Sequence, residues 1–380
     1  MPYVPQTRHI ERVRNAIEGR TPRPGGEASQ RIVSSYRRSL EQYHLDPGDS
    51  IGPRILTASE LRDVRHREES VLRASGQCLS RLHETVREAD YCVMLTDATG
   101  VTIDYRVDRD RRAAFKRAGL YPGSCWSERE EGTCGVAAVL LDRAPITVHK
   151  TDHFRAAFTT LTCSASPIFG LCGELIGVLD ASAVRSPDER ESQRLVNHIV
   201  RQSAVLIEDS YFLDATTHRW VLLAHRNRHY VEAQPEILIA FDERGMAVAA
   251  NRRAKECVPG LDRLPCDVSE LFDIRAERLL DARPGRDLVS LRLAVSGAPL
   301  FARVRPPSMR AVRRPNAPPS VASAPQSTLC AADEIERRRI ANAMTVAKWR
   351  PIEAAKLLGI SRATLYRRIA KHGIVPPHRG

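Results

Sequence analysis

The chain has 380 residues, a formal net charge of +12, 42% hydrophobic and 27% charged residues, enough for two or three domains that each bury a core. Its N-terminal MPYVPQTRHIERVRNAIEGR lacks the apolar stretch of a signal peptide, and the longest apolar runs, such as Val136 to Leu141, are far too short for a bilayer; a cytoplasmic protein with no membrane partner is expected. Nine cysteines, an odd number with no C-x-x-C pair, argue against a disulfide framework or a zinc site, and no metal or cofactor is expected.

Residues 1–78 read as a helical leader. From 79 to 213 strands and helices mix around one antiparallel sheet, the pattern of an α+β sensor. YCVMLTDATGVTIDYR is a hairpin turning at Asp97-Ala98-Thr99-Gly100. PITVH, TCSASPIF and GELIGVLDAS supply further strands, and a long helical pattern runs from Ser186 to Phe212. His149, His153 and Cys163 invite comparison with metal ligands, but the span leaves a strand end and enters a helix, so a common face is not expected. Cys134 and Cys163 have no His and Asp or Asn constellation at recognisable spacing, which favours buried inert thiols.

Longer words in this region carry a family likeness. GSCWSEREEGTCGVAAVLLDRAPITVHKTDHF and LTCSASPIFGLCGELIGVLDAS, with the preceding IVSSYRRSLEQYHLDPG and LTASELR, resemble the GAF sensor domain and leading segment of the acetoin-catabolism regulator family. These are sigma-54-dependent activators with W-S-E-x-x-x-G-T-N and C-S-A-x-P-I-F-x-x-x-G signatures. The resemblance covers about Ile32 to Leu213 and implies a GAF-like α/β domain that senses a small-molecule effector. Trp126, Thr133, Cys134, Phe154 and Phe158 flank the family-like words and offer apolar surface with a few polar groups, so they are the expected effector-pocket wall. Cys134 stands where the family commonly has Asn, and a contact there predicts a ligand other than the family's usual one.

Residues 214–305 form a third unit, a connecting helix and then a fold beginning at about Glu236. ILIAFDERGMAVAANRRAKE is strand, D-x-x-G turn, strand and a helix opened by Asn251, and it resembles the start of a PAS domain. DLVSLRLAV and PLFARVRPP, separated by Ser296-Gly297-Ala298, give a later hairpin.

Residues 306–327 are dense in Pro, Ser and Ala with no hydrophobic period, and read as a linker. The charge is concentrated beyond it: from Arg305 onward there are 15 Lys or Arg against 4 Asp or Glu, leaving about +1 for the preceding 304 residues. A basic terminal module is the electrostatic footprint of nucleic-acid binding. Within 328–380, Ile352, Ala355 and Leu358 recur at helical spacing, Gly359 provides the turn and Ser361 the N-cap of a second helix. Ile360, Leu365 and Ile369 point to the core, which leaves Arg362, Thr364, Tyr366, Arg367 and Arg368 for base edges and phosphates, with Arg350, Ser361 and Lys371 beside them.

WRPIEAAKLLGISRATLYRRIAKHGI strongly resembles the Fis-type helix-turn-helix, and ADEIERRRIANAMTVAKW supplies a helix ahead of it, with Ile335, Ile340, Ala343 and Met344 on its apolar side. The resemblance implies a homodimer reading two half-sites of double-stranded DNA. Sigma-54 activators place an ATPase between sensor and tail, yet G-x-x-x-x-G-K-[ST] is absent from the sequence. The expectation is therefore a multidomain α+β protein with a GAF-like sensor, a small PAS-like domain and an all-α Fis-type tail. It is expected to be a non-enzymatic DNA-binding regulator, with RNA polymerase or a full-length paralogous activator as further partners. The alternative is a redox-responsive or catalytic GAF protein using cysteine.

Overall fold

The computed structural model describes residues 4–20, 26–187, 189–280 and 288–308, and in the tail 340, 343–344, 347, 351–358, 364–365 and 368–369. The chain forms two compact units, Met1–Arg310 and Ala311–Gly380.

The first unit opens with α1 (Val4–Ile17), α2 (Glu27–Arg37), α3 (Ala58–Arg67) and α4 (Glu69–Val86). The expected boundary at residue 78 falls inside α4. Five strands follow, β1 (Tyr91–Asp97), β2 (Thr102–Arg106), β3 (Ile146–His149), β4 (Thr162–Phe169) and β5 (Leu175–Ala183), in the order β2-β1-β5-β4-β3 with every pair antiparallel. Between them lie α5 (Arg112–Arg117), α6 (Glu128–Glu131) and α7 (Gly135–Asp142). The hairpin turns where its residues demand it. Asp97 Oδ1 accepts the N–H groups of Thr99 and Val101 at 3.0 and 2.8 Å, and Gly100 takes φ +90°, a conformation open to glycine.

Side chains alternate across this sheet. Tyr91, Val93, Leu95, Leu179 and Ala181 face a core shared with α4 and with α8 (Gln193–Ala215), whereas Cys92, Met94 and Val178 face one shared with α1, α2 and α7. The result is three layers, helices on both faces of the sheet. Fully buried Leu79, Leu82, Val200 and Ile207 each contribute about 1.5–3 kcal/mol of burial free energy, which fixes α4 and α8 to the sheet. The leader helices are equally integral, because Val13, Ile32 and Tyr36 are all 1% exposed or less within the opposite core.

The long helix differs from its expected span. It starts at Gln193 rather than Ser186, after a 3₁₀ turn at Arg190–Ser192. Pro187 keeps residue 186 out of helical conformation, and the Gln193 side chain accepts the Tyr91 hydroxyl, which pins the start. At the far end the Thr216 hydroxyl donates to the Phe212 carbonyl at 2.7 Å.

A second sheet contains β6 (Trp220–His225), β7 (Ile237–Phe241), β8 (Met246–Ala250), β9 (Cys266–Asp267), β10 (Val289–Arg292) and β11 (Pro299–Arg305), ordered β10-β11-β6-β7-β8-β9. Sequence reasoning starts this fold at Glu236 and misses β6, which occupies the middle of the sheet. Its VLLA run is buried on both faces and shows no alternation: Leu222 and Ala224 face the side of α9 (Arg252–Cys257), α10 (Val268–Leu271) and α11 (Ala276–Leu280), while Val221 and Leu223 meet Phe212 from α8. Asn251 does open α9. Its Oδ1 accepts Ala254 N–H at 2.9 Å and Leu238 N–H at 3.1 Å, and its Nδ2 donates to Asp209 on α8 at 2.8 Å.

In the second unit the helix Pro351–Leu358 buries Ala354 and Ala355 in a core with Ile340, Met344, Ala347 and Leu365. Leu358 and Ile369 pack partly buried against it. Small residues at the contact are what two short helices crossing closely require. Ile335, Gly359 and Ile360 lie outside the described residues.

Candidate functional site

The five expected pocket residues converge. Trp126, Thr133, Cys134, Phe154 and Phe158 are each 3% exposed or less, on the side of the first sheet covered by the leader helices. Trp126 packs against Phe158 with centroids 5.5 Å apart and ring planes tilted by 57°, and donates its indole N–H to Thr102 at 3.2 Å. Phe154 meets the Tyr36 ring at 6.0 Å, and its carbonyl accepts His9 Nε2–H at 2.9 Å, so α1 and α2 close the core from above. Gly132 permits this packing: it has φ +69°, and a Cβ there would stand 2.6 Å from Phe154 Cδ1. Thr133 exchanges a hydrogen bond of 2.6 Å with Ser35, whose hydroxyl also reaches Glu128, itself held by both Nε and Nη2 of Arg38 at 2.8 Å. Cys134 is the N-cap of α7, its Sγ accepting Ala137 N–H at 3.4 Å.

The polar centre of this core is a residue that sequence reasoning does not single out. Asp180 on β5 stands between Met94 and Ala165 in the sheet register, fully buried. Its Oδ2 accepts the Ser182 hydroxyl at 2.5 Å, while Oδ1 is buried with no partner. That free oxygen lies at the start of α7, 3.2 Å from where a Gly135 Cβ would be. Burial pushes the carboxyl up to about 7, with Ser182 opposing. The available signal is a lone acid in the otherwise apolar and small LIGVLDASA.

Next to Asp180 sits a Cys–His pair. His153 Nε2 is 3.3 Å from Cys163 Sγ, and its Nδ1–H donates to the Lys150 carbonyl at 2.9 Å, leaving Nε2 as acceptor for the thiol. Burial lowers His153 to about 4 and pushes the Cys163 thiol well up. Both shifts favour a neutral thiol hydrogen-bonded to a neutral imidazole over the thiolate form that thiol nucleophiles use. The Cys134 thiol is also pushed up by burial. His149 instead exchanges a hydrogen bond of 2.9 Å with Thr162. Among the described residues no group of three or more His, Cys, Asp or Glu could hold a metal ion, and no helix is long and apolar enough to cross a membrane.

Of the expected DNA-contacting residues, Thr364 and Arg368 are described, both helical and half-buried. Arg350, Ser361, Arg362, Tyr366, Arg367 and Lys371 lie outside the described residues.

Comparison with known proteins matches residues 77–207 to the GAF domain and residues 331–372 to the family described as bacterial regulatory protein, Fis family. The acetoin catabolism regulatory protein of Cupriavidus necator is 38% identical over 289 residues, 73% of this chain and 43% of that protein. The acetoin dehydrogenase operon transcriptional activator AcoR of Bacillus subtilis is 28% identical over 155 residues, 40% of this chain and 25% of that protein. The chain thus spans less than half the length of these relatives. The crystal structure of the E. coli DhaR(N)–DhaL complex is similar with a TM-score of 0.42 at 14% identity, covering 72% of this chain and 98% of that one. The chain combines a GAF domain with a Fis-family helix-turn-helix and is homologous to the acetoin catabolism regulators.

Proposed function

We propose that this transcriptional regulator takes a small-molecule effector into the core between β5, α7 and the leader helices, and that occupancy there sets how its Fis-type segment engages operator DNA. The observation that carries this reading is the unpartnered Asp180 Oδ1. A buried polar atom left unpaired costs about 1–3 kcal/mol, and a ligand hydroxyl or carbonyl completing it recovers that cost. Among the described residues no cation acts on Asp180, and Met94, Gly135, Cys163 and Ala165 beside it carry no charge, so a small neutral molecule fits better than an anion. The names of the relatives make acetoin and similar hydroxyketones the first compounds to test. Cys134, a weaker hydrogen-bonding group than the amide common in the family, supports a less polar member of that class.

On this reading Arg350, Ser361, Arg362, Thr364, Tyr366, Arg367, Arg368 and Lys371 contact DNA as a homodimer in the cytoplasm. The PAS-like domain and the linker 306–327 join sensor to tail, and the chain itself hydrolyses no ATP. The test is operator binding by the full chain with and without hydroxyketones, in wild type and in Asp180→Leu. The variant is expected to bind operator but lose the effector response; a full response in Asp180→Leu overturns the reading.

A further inference from the structure

A separate cavity of about 320 Å³ opens between the β4–β5 turn, the C-terminal half of α8 and the corner where β8 meets α9. Phe169, Leu171 and Phe212 give it apolar walls, and Arg252 and Lys255 bring two cations to its rim. The Arg252 guanidinium lies 4.7 Å over the Phe169 ring and pairs with Glu208, while Lys255 Nζ reaches the Leu171 carbonyl at 3.2 Å. Glu208 is held a second time, because it accepts the Phe169 N–H at 2.9 Å. It can therefore release Arg252 and stay in place.

We infer that this cavity is a second ligand site, for a small organic carboxylate with an apolar body. The carboxylate takes the N–H edge of Arg252 that Glu208 now occupies, with Lys255 adding charge, and the body lies against Phe169, Leu171 and Phe212. Inorganic phosphate satisfies the cations but leaves the apolar wall unused, and an amine meets Arg252 and Lys255 unfavourably.

The exchange carries a proton with it. Facing Glu208 are Arg252 and Lys255 from α9, Asp209 and Tyr211 from α8, and the Phe169 N–H from β4. Burial pushes Glu208 up to about 7 against the pull of Arg252, and Asp209 is pushed up to about 6. Once a ligand occupies Arg252, that pull is gone and Glu208 rises further. Below about pH 7 the site is ready for the anion. Above it, each bound carboxylate must bring one proton to Glu208, so affinity falls up to tenfold per pH unit.

The experiment is titration calorimetry of benzoate into the full chain at pH 6 and pH 8.5, in buffers of differing ionisation enthalpy. Tighter binding at pH 6 by tenfold or more, with proton uptake at pH 8.5, is expected. Arg252→Gln and Lys255→Met should each weaken benzoate at least tenfold with unchanged circular dichroism, and Glu208→Gln should bind it with only the smaller pH dependence that Asp209 supplies. Absence of benzoate binding by the wild type, equal binding of phosphate or benzylamine, or full binding by both cation variants overturns the inference. Asp180→Leu should leave benzoate binding intact, which keeps this site distinct from the effector core.

Discussion

At the scale of single residues, the buried acid on β5 contributes to how stability responds to pH. Asp180 has a folded value of about 7, raised above the ordinary aspartate range. Its neutral form suits the fold, so this contribution is fully present below about pH 4 and is lost as pH rises through 7. Glu208 and Asp209 are raised in the same sense. His153 is lowered to about 4, so its contribution is lost in the opposite direction, as pH falls from about 6.5 toward 4. Replacement of Asp180 by Asn removes one of these terms. The difference in unfolding free energy between Asp180→Asn and wild type is expected to shift by a few kcal/mol in favour of the variant between pH 5 and pH 8, measured by urea denaturation at both values. A difference constant with pH means that Asp180 does not titrate on folding. Residues of this kind are hard to read in sequence. Trp126, Phe154 and Phe158 announce themselves by size and by the family words around them, but a single Asp in a strand looks like a surface position until the sheet register places it opposite Met94 and Ala165.

At the scale of elements, legibility follows local chemistry. The Asp97–Gly100 turn, strands β3 to β5 and the Asn251 cap each have a nearby chemical cause, and each lies where the residues indicate. The existence of β6 depends on its place at the sheet centre and the exact start of α8 on Tyr91, with Pro187 the one local sign that the helix begins later than Ser186. Two variants probe the joint between the sheets. Asn251→Ala strips the α9 cap and leaves the Leu238 N–H and Asp209 without their partner; a loss of about 1–3 kcal/mol is expected in chemical denaturation. Ala204 is central in α8 and 1% exposed. Ala204→Pro should cost about 3 kcal/mol or more and abolish the effector response of operator binding. Retention of that response in a folded Ala204→Pro protein means that α8 does not carry the signal.

At the scale of the whole molecule, nearly all of the net charge lies from Arg305 onward, so DNA affinity should fall steeply with salt while sensor binding does not. Arg362→Ala is expected to cost about 1–3 kcal/mol on the specific site and to relax base preference there, read by competition binding against mismatched operators. Equal affinity and equal preference place specificity elsewhere on the segment. The effector and the operator together can shift the protein only by their differential affinity for two arrangements, so a coupling of about 1–3 kcal/mol is the expected scale.

The path of the chain through the second sheet bears on how such a protein is assembled. β6, the first strand in, lies beside β11, the last strand out, with Val221 opposite Arg305. Just beyond, the Ser308 N–H donates to the Thr217 carbonyl at 2.8 Å, at the foot of α8. The polypeptide therefore leaves this domain at its own doorway, and the 220–305 segment is a detour from a point back to that same point. Excising it and joining Arg219 to Pro306 should leave the tether rooted at the end of α8, with effector control of DNA binding retained and benzoate binding lost. Retained control makes the domain an accessory input beside a route from α8 to the tail; lost control makes it the link between them.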